Sequence, residues 1–91
     1  MNGFVDPPVY GAGSGSTGTI NCVFKAGSTT PATDWYLNGG RVGTVPGTKT
    51  LVALAGHQVT FISGGVTFPS PPLAIQLDST HKAVTITIHF A

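Results

Sequence analysis

The chain has 91 residues, with 13 Gly, 7 Pro and one Cys, and only 8% of it is charged. That is room for one small core, and the charged set shrinks to Asp6, Asp34, Asp78, Lys25, Arg41, Lys49 and Lys82, without a single Glu. A net charge of +1 on scattered cations gives no basic stripe for nucleic acid, apolar runs are interrupted well before they could span a bilayer, and so few carboxylates leave acid–base catalysis short of parts.

In chain order, residues 1–18 read as a flexible N-terminal arm and residues 19–91 as a folded domain. Phe4, Val5, Asp6, Pro7, Pro8, Val9 and Tyr10 form a short, proline-stiffened apolar segment, followed by a Gly/Ser-rich tether from Gly11 to Gly18. The segment has neither the cationic start nor the apolar stretch of a secretory signal. Phe4, Val5, Pro7, Pro8, Val9 and Tyr10 are the candidate partner-binding residues, because a free monomer gains nothing from an exposed apolar tip. Pro7 to Tyr10 is also similar to the Pro-Pro-x-Tyr ligands of WW domains.

From residue 19 onward apolar residues recur with a period of two, the signature of half-buried strands. Ile20, Cys22 and Phe24 share one face, as do Trp35 and Leu37, then His57, Val59 and Phe61, then Leu73, Ile75 and Leu77, and finally Val84, Ile86, Ile88 and Phe90. A further strand is expected over residues 48–54, and the last run belongs at the centre of a sheet. Asn38-Gly39 predicts a hairpin, since both residues tolerate positive φ, whereas Pro69, Pro71 and Pro72 mark an edge or a crossing between sheets. No window carries the helical period. The expected fold is all-β, a single antiparallel sandwich of about six or seven strands.

Cys22 and Trp35, in Ile20-Asn21-Cys22-Val23-Phe24 and Asp34-Trp35-Tyr36-Leu37-Asn38-Gly39, resemble the second and third strands of an immunoglobulin-like domain. The chain lacks the second Cys of that family's inter-sheet disulfide. The stretch from Gly56 through Pro69 to Ile88 is similar to small β-sandwich domains of phage decoration and bacterial surface proteins. The resemblance implies a virion or surface role.

Candidate chemistry is sparse. Cys22 shares its face with Ile20 and Phe24 and reads as a small core hydrophobe. Asp78, His81, His89 and His57 have no recognised metal-ligand spacing, so no metal, cofactor or catalytic residue is assigned and an enzyme is not expected. Tyr36, opposite in phase to Trp35, is a candidate for surface recognition of a glycan or protein. The expectation is a non-enzymatic structural protein that binds a capsid or other protein lattice as a virion decoration or cement protein and forms homo-oligomers. The alternative is a glycan- or protein-binding module of a larger cell-surface protein. Neither nucleic acid nor membrane is an expected partner.

Overall fold

The computed structural model describes residues 2–91, which form β-strands in two sheets packed about one core, with no helix among the described residues. The strands are β1 (Gly3–Val5), β2 (Val9–Gly11), β3 (Gly18–Phe24), β4 (Thr33–Leu37), β5 (Gly40–Thr44), β6 (Gly47–Val52), β7 (Gly56–Ser63), β8 (Val66–Gln76) and β9 (Ala83–Phe90). The first sheet runs β1-β9-β3-β6, with β2 also paired to β9, and the second runs β5-β4-β7-β8.

Period-two patterning explains the core. In β9 every second residue is buried, placing Val84, Ile86, Ile88 and Phe90 inward. Ile20 and Cys22 join them from β3, and Trp35, Val59, Phe61, Phe68 and Ile75 face them from the second sheet. Each Val, Ile or Phe among them contributes roughly 1.5–3 kcal/mol when fully buried. The β4–β5 hairpin turns on Asn38 and Gly39, at φ 51° and 87°, both left-handed, as a two-residue hairpin loop with the strands' own twist requires.

Nine strands replace the six or seven expected, and the excess has physical causes. Gly40-Arg41-Val42-Gly43-Thr44 has too few apolar residues to announce β5, and prolines hide the alternation of β1 and β2. The sandwich is also not wholly antiparallel, because β3 and β9 pair in parallel from Thr19↔Ala83 to Phe24↔Ile88. Strands β2 and β3 run in opposite directions on either side of β9. A strand filling the gap between two such neighbours must be parallel to one of them. That gap is about 10 Å, two strand spacings, and residues 12–17 bridge it.

The arm expected to be free therefore lies on the first sheet. Residues 3–5 pair with residues 88–90, residues 9–11 pair with residues 83–85, and the Asp6 N–H donates to Thr87 O at 2.9 Å. The tether arches over the start of β9, where Lys82 Nζ donates to Gly15 O at 2.6 Å and Thr19 N donates to Lys82 O at 2.9 Å.

Candidate functional site

The arm's geometry follows from one irregularity. Partner numbers sum to 93 along β1 (3 and 90) and to 94 along β2 (9 and 85), so Asp6-Pro7-Pro8 inserts one extra residue opposite β9. A shift of one residue exchanges the faces of a strand. Gly3 and Val5 point inward with Phe90 and Ile88, Phe4 and Val9 point outward with His89 and Thr85, and Tyr10 points inward with Val84. Phe4 is 44% exposed and Val9 67%. Val5 packs against the core, Pro7 is exposed and Pro8 is half-buried.

Phe4 stacks on the His89 ring, with centroids 5.2 Å apart. His89 Nδ1 lies 2.9 Å from Asp6 Oδ1 and has no hydrogen-bond partner among the described residues; the contact is an ion pair only while the ring is protonated. Tyr10, 36% exposed, reaches past the margin of the first sheet to the second. Its hydroxyl accepts from Gln76 N at 3.1 Å, and its ring meets the His81 ring edge-on at 5.8 Å. The arm thus joins both sheets along one side of the sandwich.

Two open grooves flank Tyr10. The larger, of about 410 Å³, is lined by Asn38, Gly56, His57, Gln58, Ala74, Ile75 and Gln76 as well as Tyr10. The smaller, of about 230 Å³, lies between Tyr10, Gln76, Asp78 and His81. Their walls are fixed by local hydrogen bonds. His57 Nε2 is 2.7 Å from Ala53 O, which only accepts, so Nε2 carries the proton and Nδ1 accepts from Asn38 Nδ2 at 3.0 Å. Asn38 Oδ1 in turn accepts from Gln58 N at 2.9 Å, tying the β4–β5 turn to β7. Asp78 Oδ1 accepts from Thr80 N, Thr80 Oγ1 and His81 N at 2.9, 2.9 and 2.8 Å. These bonds, the Thr80 backbone N–H foremost, lower the Asp78 carboxyl to about 2.

Other candidates from the sequence lie elsewhere. Tyr36 is half-buried on the second sheet, opposite Arg41 and Thr60, and lines neither groove beside Tyr10. Asp34, on the same strand, pairs with Arg41 at 3.2 Å. Cys22 is buried, and desolvation pushes its thiol up to about 12, far from a reactive thiolate at neutral pH. Among the described residues no group of three or more His, Cys, Asp or Glu side chains is placed to hold a metal, and no helix is long and apolar enough to cross a membrane.

Sequence reasoning picked out Tyr10 but not its surroundings. Asn38, the neighbouring His57 and Gln58, Gln76 and His81 come from separate turns and strand ends, and no local spacing signals their convergence. Comparison with protein-family models, with curated proteins and with solved structures returns no match.

Proposed function

We propose that this chain is a non-enzymatic structural protein that docks on an assembled protein lattice, as a virion decoration or cement protein does. The observation that carries the reading is the outward pair Phe4 and Val9 on the arm. Beside them the register lines up Thr85, Thr87, Asn21 and Val23 on the same outer face of the first sheet. This surface is short-chained, nearly uncharged and framed by paired strands, which suits packing against another protein more than solvation. Many weak contacts of this kind on a repeating lattice sum to tight attachment. The immunoglobulin-like reading is supported by Cys22 and Trp35, buried on β3 and β4 in facing sheets. In this reading the chain acts on the virion surface, or on a cell surface as part of a larger protein.

Self-association belongs to the same proposal. It would use the face of the first sheet, because the edges are guarded. Prolines interrupt the β1–β2 margin and β8, a bulge and Lys49 break β6, and β5 is bulged opposite Trp35 and Tyr36.

Native capture from the source particle or cell identifies the lattice, and co-sedimentation with it tests the site. Val9→Lys puts a charge on the exposed face without touching the core and should abolish pelleting while thermal unfolding is unchanged. Pelleting by Val9→Lys equal to the parent chain would place the docking surface elsewhere.

A further inference from the structure

The Tyr10 side of the sandwich has a chemistry distinct from the outer face of the first sheet. We propose that it binds a neutral oligosaccharide, laid across the Tyr10 ring from one groove to the other. The ring is pre-organised, because Gln76 N holds its hydroxyl at 3.1 Å and the His81 ring meets it edge-on at 5.8 Å, so little ordering cost remains on binding. Sugar hydroxyls both donate and accept, and the lining offers unused groups of both kinds. The Tyr10 hydroxyl proton, the Gln58 side-chain amide, Gln76 Oε1, Asp78 Oδ2 and His81 Nε2 make none of the hydrogen bonds within the described residues.

Other ligand classes fit less well. Neither groove is lined by Lys or Arg, so a phosphate, sulfate or sialic acid carboxylate meets no permanent counter-charge and faces Asp78. The aliphatic lining is limited to Ala74 and Ile75, too little for a lipid chain. A peptide cannot extend the sheet at this end of β8, because the Gln76 amide already donates to Tyr10. A saccharide requires none of these features, only an aromatic face and paired polar groups around it.

The test is a titration of the full ¹⁵N-labelled chain with maltotriose, cellotriose and chitotriose, with 3′-sialyllactose against lactose as the charge control, followed by an array of neutral glycans. At least one neutral sugar should give saturable shifts centred on Tyr10, Gln58, Gln76 and His81, with sialyllactose no better than lactose. Gln58→Ala removes an exposed side chain that makes no hydrogen bond among the described residues and should weaken binding about three- to tenfold. No saturable shift with any of the three sugars together with no array hit overturns the proposal. So does a preference for the sialylated sugar, or undiminished affinity in Gln58→Ala. The outcome is separable from the lattice reading, since Val9→Lys leaves these grooves intact and Gln58→Ala leaves the arm's outer face intact.

Discussion

Leu51 is the residue at which backbone geometry and side-chain type disagree most. Gly18 pairs with Val52 and Ile20 with Lys49, so Thr50 and Leu51 together oppose Thr19 in a bulge. Leu51 there adopts φ 62°, and the residue is 80% exposed. A non-Gly residue in the left-handed region costs roughly 1–2 kcal/mol, and an exposed side chain recovers little of it. Asn tolerates that conformation, so Leu51→Asn is expected to raise unfolding stability by about 0.5–1 kcal/mol in urea. A loss of stability would mean that the leucine makes a contact the exposed geometry does not show. No Gly or Asn marks this position, which is why sequence alone is silent about it.

Asp78 is the opposite case, readable as a turn cap from Asp-Ser-Thr. Its carboxyl is lowered from 3.8 to about 2 in the folded chain. The stabilisation is therefore complete above the unfolded value and fades as pH falls between roughly 4 and 2. Asp78→Asn should lower stability at neutral pH and show a shallower decline across that interval. Acid denaturation curves of the same slope for the two proteins would rule out this role.

At the scale of elements, the strands with uninterrupted alternation, β3, β4, β7 and β9, are legible in sequence because one buried face dictates every second residue. The arm is not. Asp6-Pro7-Pro8 changes its phase, so one reading frame makes Gly3 and Val5 inward and another makes Tyr10 inward. Glycine at position 3 then has a steric reason. A Cβ there would lie 2.5–2.8 Å from ring atoms of Phe68, a buried ring stacked on Phe61 at 5.5 Å and edge-on to Phe90 at 5.6 Å. Gly3→Ala should therefore cost about 1–3 kcal/mol as overpacking, read as a lower melting temperature. An unchanged melting temperature would show that β1 is not seated on the second sheet.

For the whole molecule, the last strand completes the fold. With β9 between β2 and β3, only the β3–β6 pair of the first sheet can form before residues 83–90 are in place, and most of the sheet's pairing is between segments remote in sequence, which slows folding. The same remoteness hides the grooves, since Tyr10, His57, Gln76 and His81 meet only after both sheets have closed. What composition does foretell is that the surface is poor in charge and the turns rich in Gly and Pro.

That the arm is part of the sheet is the claim on which the Phe4–Val9 surface, the Tyr10 clasp and both grooves depend. Amide hydrogen exchange tests it most directly at Asp6, whose N–H donates to Thr87 O. Protection at Asp6 comparable to the amides of β9 is the expected result. Exchange at the rate of an unstructured peptide, with β9 still protected, would return the arm to solution and remove the basis of the proposed surfaces.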